Sequence, residues 1–398
     1  MTTNSISNTE NTKKPPRLLF IDLARSIAII LMLIGHFITL TFKDYGSMIH
    51  ELRSVGHSGS YLFDLWVKIR GFTAPLFFTI SGVVFVFLLS KNYEINNNTP
   101  FWKNERIKKG LKRSILLIFC GYLLQVNLKY LFYYLQGNLN ARMVSFHVLQ
   151  CLGIGIFLLI CIFFIHKKFK LNLSILYLLA GTTFFSIFPI IHNLGADSFF
   201  PKNSIELIQN MIRGPNSIFP LFPWIGYVFF GGFIGSLIYK WEKQIYSNWF
   251  LFFSFLFSII IILYGRSLAF FLDLFSDNNL AIFQDGAWVY GRLGEVVLLM
   301  SILIVLVRIF KIKNSLFIKF GQNTLSIYII HVIILYGAII GYSLKDILKH
   351  QLNGIESIIG AILFIFIFAL YLKFNSNLTS FLKIAIQKIK LKDAKKIK

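Results

Sequence analysis

Hydrophobic residues come in ten long runs, with polar and basic residues gathered between them. The runs cover about 19–42, 66–90, 114–136, 144–165, 173–192, 221–240, 249–272, 288–309, 318–342 and 355–374. A helix needs ~20 mostly apolar residues to cross a bilayer, and each run is of that order. The pattern predicts an all-α fold: a polytopic membrane bundle of about ten transmembrane helices.

The connectors alternate in charge. The one between runs two and three carries Lys91, Lys103, Arg106, Lys108, Lys109, Lys112 and Arg113, whereas the one between runs seven and eight carries Asp273, Asp277 and Asp285. Basic residues collect on the cytoplasmic side, so the alternation predicts cytoplasmic termini at both ends. Residues 1–16 read as a disordered cytoplasmic N-terminus, 17–377 as the transmembrane domain and 378–398 as a basic cytoplasmic tail lying on the lipid surface. The first run is too long for a cleavable signal peptide, and no small-residue cleavage site follows it. Between residues 193 and 220 lies the longest outer connector, long enough to cover the mouth of a site.

Composition sharpens this picture. Hydrophobic residues make up 56% of the chain, and Phe alone numbers 44. Mean hydropathy is +0.67, which excludes an ordinary soluble protein. A net charge of +23 would suggest nucleic acid in a soluble chain. Here the basic residues encode topology, so the expected partner is the lipid bilayer of the cytoplasmic membrane, not nucleic acid. Cys120, Cys151 and Cys161 fall inside apolar runs without metal-type spacing, and no metal is expected.

Candidate chemistry enters where charge interrupts grease. The first run reads RLLFIDLARSIAIILMLIGHFITLTF and holds Asp22, Arg25 and His36. Each charged group near a bilayer centre costs at least ~2.5–3.5 kcal/mol, so such residues face a bundle interior and mark a functional site by default. Arg25 and His36 are eleven positions apart, three turns plus roughly 20°, so they share a face about 16 Å apart along the axis. Asp22, three positions before Arg25, is close enough to pair with it. The plainer reading has Asp22 and Arg25 neutralising each other and His36 bonding a buried carbonyl.

Other runs repeat the pattern. His147 and Gln150 share a face at the start of run four. Arg292 and Glu295 are spaced as a self-neutralising pair, or as substrate contacts if they face the same chamber as His36. Asn323, Tyr328 and His331 fall inside run nine, and helix rise brings His331 to a depth comparable with His36. Pro75, Gly82, Gly231, Gly232 and Gly235 suit close helix packing. Arg70, at the outer end of run two, reads as a side chain that snorkels to the interface. No repeat relates the two halves, which disfavours many secondary transporters. A proton-coupled transporter or flippase of a polar lipid or sugar is still the alternative reading of the buried His, Arg and Glu.

The run IDLARSIAIILMLIGHF resembles the opening helix of integral-membrane acyltransferases, with the Arg, ten residues, His pattern of the acyltransferase-three family. TAPLFFTISGVVF, FHVLQCLGIGIF, FPWIGYVFFGGFIG and FGQNTLSIYIIHVIIL, in that order, resemble bacterial relatives of heparan-α-glucosaminide N-acetyltransferase. Where many relatives have glycine after the arginine, this chain has Ser26, still small enough for tight packing. The resemblance implies an acyltransferase moving an acyl group, usually acetyl, from coenzyme A to a hydroxyl or amine of a carbohydrate or cell-envelope glycan. Acetyl-CoA would be a co-substrate, with no permanently bound cofactor. It associates Arg25 with the donor and His36 with chemistry. Asp22, beside Arg25, is the second candidate donor contact, and a neutral imidazole at His36 could act as base or as transient acyl carrier. His331 is the second catalytic candidate. His147, Gln150, Arg292, Glu295, Asn323 and Tyr328 are the candidate substrate contacts.

Overall fold

The computed structural model describes residues 18–95, 99–130, 136, 141–194, 206–213, 217–273, 286–310, 312 and 315–374; the expected N-terminal arm at 1–16 and basic tail at 378–398 lie outside the described residues. The described chain is helical, with only two isolated bridges, Phe42 with Leu352 and Asn127 with Ile339. In order the helices are α1 (Leu19–Thr41), α2 (Tyr45–Ser54), α3 (Tyr61–Arg70), α4 (Thr73–Ile95), α5 (Glu105–Leu123), α6 (Val148–Phe169), α7 (Leu173–Leu194), α8 (Glu206–Arg213), α9 (Leu221–Lys240), α10 (Asn248–Asp273), α11 (Trp288–Ile309), α12 (Leu316–Gln322), α13 (Thr324–Tyr336) and α14 (Leu344–Leu348). A last helix, α15, spans Gly354–Phe374.

Among the described residues seven helices are long and apolar enough to cross a membrane: α1, α3 with α4, α6, α7, α9, α10 and α15. The pair α12 and α13, bent by 84°, makes an eighth if it counts as one span. Two of the ten runs depart most from their expected extents. The helix of run three starts at Glu105, because the Asn104 side chain accepts from the backbone N–H of Arg106 at 2.9 Å and of Ile107 at 3.4 Å. It ends at Leu123, and the chain then turns inward. Run nine breaks at Asn323, whose Nδ2 donates to the Lys319 carbonyl at 2.8 Å, and ends where Gly337 takes a positive φ of 67°.

Packing explains the break. Ser26 of α1, fully buried, donates to the Asp22 carbonyl at 2.9 Å and accepts from the Gly321 N–H at 3.0 Å. Gly321 lies so close to the Asp22 carbonyl that a side chain there would displace α1. The short helix α12 therefore runs into α1 and stops.

At the centre, α4 and α9 pack backbone to backbone. A Cβ on Gly82 would strike the Val228 carbonyl, and one on Gly231 would strike that of Thr79. Around this pair, α7, α10 and α15 turn large apolar side chains outward, among them Leu179, Phe252 and Ile362. That is how a bundle is built when its surroundings are lipid.

Candidate active site

A cavity of about 790 Å³ opens among α1, α3, α4, α6, α13 and the segment that follows α5. Its walls include His36 from α1, Arg70 and Phe77 from α3 and α4, His147 and Gln150 at the start of α6, and Tyr328, His331 and Tyr336 from α13. Ile218 and Phe219, from the long outer connector, also line it.

The two buried-depth histidines meet in this chamber. Their ring centroids are 5.3 Å apart, and the Tyr328 ring lies 5.0 Å from that of His331. His36 Nδ1 is 2.8 Å from the Tyr336 hydroxyl, which leaves Nε2 as the nitrogen available to a substrate. His331 is wholly buried, with Nδ1 3.3 Å from the Ile327 carbonyl. A carbonyl only accepts, so Nδ1 carries the proton and Nε2 keeps its lone pair. That Nε2 has no hydrogen-bond partner, and neither do the amide nitrogen and oxygen of fully buried Gln150. Buried polar atoms are normally satisfied, so unpartnered ones in a cavity wall point to a ligand with hydroxyl or carbonyl groups.

A second, much smaller cavity of about 30 Å³ lies toward the N-terminal end of α1. Arg25, Arg106 and Arg113 line it, and among the described residues none of the three forms an ion pair. Arg106 Nε is buried without a partner. Phe77, Leu149 and Tyr328 line both cavities, so these three side chains separate them. Arg106 and Arg113, from the basic connector, thus line the small cavity alongside Arg25.

Of the residues singled out from the sequence, His36, His331, His147, Gln150 and Tyr328 come together in the large cavity, and Arg25 lines the small one. Asp22 lines neither cavity and forms no ion pair with Arg25; its carboxylate accepts from Gln322 Nε2 at 3.5 Å. Arg292 and Glu295 pair with each other at 2.8 Å outside both cavities. Asn323 sits at the bend between α12 and α13.

Arg70 and Tyr336 were not among the sequence candidates. Arg70 does not snorkel away; its side chain crosses Gly35, hydrogen-bonds the Tyr45 hydroxyl and lines the cavity. A Cβ on Gly35 would meet Arg70 Nε at 3.0 Å, so this glycine seats the guanidinium one residue from His36. Tyr336 follows His331 by five positions, a spacing that puts the two on different helix faces, so periodicity carried no signal for it.

The family model described as heparan-alpha-glucosaminide N-acetyltransferase, catalytic, matches residues 17–274. The chain belongs to that family. Membership makes it a multi-pass membrane acetyltransferase. The matched segment contains Arg25, His36, Arg70, His147 and Gln150, while Tyr328, His331 and Tyr336 of this acetyltransferase lie beyond it. No curated protein matches the chain.

Proposed function

We propose that this acetyltransferase works in the cytoplasmic membrane, taking acetyl from acetyl-CoA and delivering it to a carbohydrate or cell-envelope glycan. The observation that carries this reading is the meeting of the His36 and His331 rings, centroids 5.3 Å apart, in a large cavity that shares Phe77, Leu149 and Tyr328 with a small one lined by three arginines. Guanidinium groups suit phosphate oxygens, and coenzyme A is rich in them. The donor's charged end is held on the side of Arg25, Arg106 and Arg113, and its thioester reaches past the three partition residues toward His36.

In the transfer step His36 Nε2 removes the proton of the attacking hydroxyl or amine. The acceptor oxygen or nitrogen bonds to the thioester carbonyl carbon, the C–S bond breaks, and the coenzyme A thiolate leaves and is protonated from His36. His331 Nε2 and the Gln150 amide hold the acceptor by hydrogen bonds. His36→Ala in purified, folded protein is expected to lower turnover by roughly 10²–10⁴-fold, the range for a lost general base. Arg25→Ala is expected to weaken acetyl-CoA binding with the fold intact. Wild-type turnover in the first variant removes His36 from the chemistry; unchanged donor affinity in the second removes Arg25 from the donor site.

A further inference from the structure

The charge of the large cavity is one-sided. Among the described residues that line it, Arg70 is the single charged side chain, and none is Asp or Glu. Two acids on neighbouring elements are engaged elsewhere. Glu295 is paired with Arg292 at 2.8 Å, and Arg292 also donates to the Lys68 carbonyl at 3.0 Å. Asp64 accepts from the Ser58 N–H at 3.1 Å. Arg70 has the Tyr45 hydroxyl as its hydrogen-bond partner and no ion pair among the described residues.

An amino sugar carries its nitrogen largely as ammonium near neutral pH. A site built to bind one would present a carboxylate to it, and a guanidinium beside the base repels it. A hydroxyl acceptor meets no such repulsion. The unpartnered polar atoms of Gln150 and His331 match the hydroxyls of a sugar, and Arg70 matches a carboxylate, sulfate or phosphate.

We propose that this site acetylates a hydroxyl on an anionic sugar, with Arg70 holding the acceptor's negative group and His36 facing the hydroxyl that reacts. The proposal rests on the acetyl-transfer reading of the same cavity and adds acceptor charge and bond type to it. The product is an ester, not an amide, and coenzyme A leaves as the thiol with the hydroxyl's proton.

The test uses the full chain in detergent with the methyl glycosides of glucuronic acid, glucose and glucosamine. The three share a ring and differ in charge. Binding is read as ligand-induced thermal stabilisation, and transfer as labelled acetate released from the product by hydroxylamine, which cleaves esters and spares amides. Glucuronide is expected to bind at least about tenfold more tightly than glucoside, a difference of about 1.4 kcal/mol, with glucosaminide weakest. Arg70→Gln is expected to bring the glucuronide-to-glucoside ratio close to one, and Arg70→Lys to keep part of it. Tightest binding of glucosaminide, or a hydroxylamine-stable product, overturns the proposal while leaving acetyl transfer standing. A ratio unchanged in folded Arg70→Gln overturns it too. Arg70-dependent binding of glucuronide without acetyl-CoA consumption upholds the anionic site and removes the transfer reading instead. Should Arg70→Gln fail to fold, the ranking of the three glycosides on the unmodified chain decides alone.

Discussion

Tyr336→Phe isolates the smallest change the proposed chemistry should feel. The hydroxyl sits 2.8 Å from His36 Nδ1. Two tautomers satisfy that distance. If tyrosine donates to Nδ1, the proton is on Nε2 and His36 cannot act as a base toward the cavity. If Nδ1 donates to the tyrosine oxygen, Nε2 is free to take the acceptor's proton. The second arrangement is the one transfer requires, so Tyr336 acts by positioning: it holds the ring and its tautomer without touching the reacting atoms. A net neutral hydrogen bond is worth about 0.5–1.5 kcal/mol, which converts to a loss of roughly 2- to 13-fold in kcat. Tyr336 is 40% exposed, and the change deletes one oxygen without opening a core cavity, so thermal stability in detergent should hold. The assay is coenzyme A release at saturating donor and acceptor, with the pH–rate profile recorded for both proteins. The profile should move with the rate, because the ring loses the partner of its Nδ1. Turnover and profile identical to the unmodified chain would refute the coupling. A loss as deep as that of His36→Ala would also refute it, because the hydroxyl would then be part of the reaction itself.

Two further expectations concern packing and placement. Gly82→Val should lower the melting temperature in detergent, because its Cβ has no space beside the Val228 carbonyl and lies 3.0 Å from the Gly232 nitrogen; overpacking of this kind costs typically about 1–3 kcal/mol. Gly291→Ala, with nothing within 4 Å of its Cβ, is the control and should melt no lower than the unmodified chain. Glu295→Gln breaks the 2.8 Å pair with Arg292 outside both cavities, so it should reduce stability and leave the KM for donor and acceptor unchanged. A raised acceptor KM with normal melting would make that pair a substrate contact.

Sequence periodicity reached some of this and stopped at a definable place. Arg25 and His36 were legible because one unbroken helix carries both, and helical spacing alone aligns them. His331 was legible for a similar reason, since helix rise set its depth. Arg70 and Tyr336 were not, because each reaches the cavity of His36 from a different element, at distances only the fold determines. Asn323 shows what the sequence does not carry: a polar residue inside an apolar run reads as a site, and only the fold shows that this one occupies a helix end and bonds a backbone carbonyl there. The same physics connects the departures from ten clean helices to the cavity itself. In hydrocarbon, backbone that is not helical survives only where protein buries it or where it lines a chamber. Here the non-helical segments after α5 and α13 bond to each other, Leu128 N–H to the Ile339 carbonyl at 2.9 Å and Ile339 N–H to the Val126 carbonyl at 2.9 Å. Val126, Asn127, Gly337 and Ala338 from those segments line the large cavity. The chamber therefore lies where two expected spans end short, and hydropathy, which measures only how well a run crosses lipid, carries no information about what a chain does once it has stopped crossing.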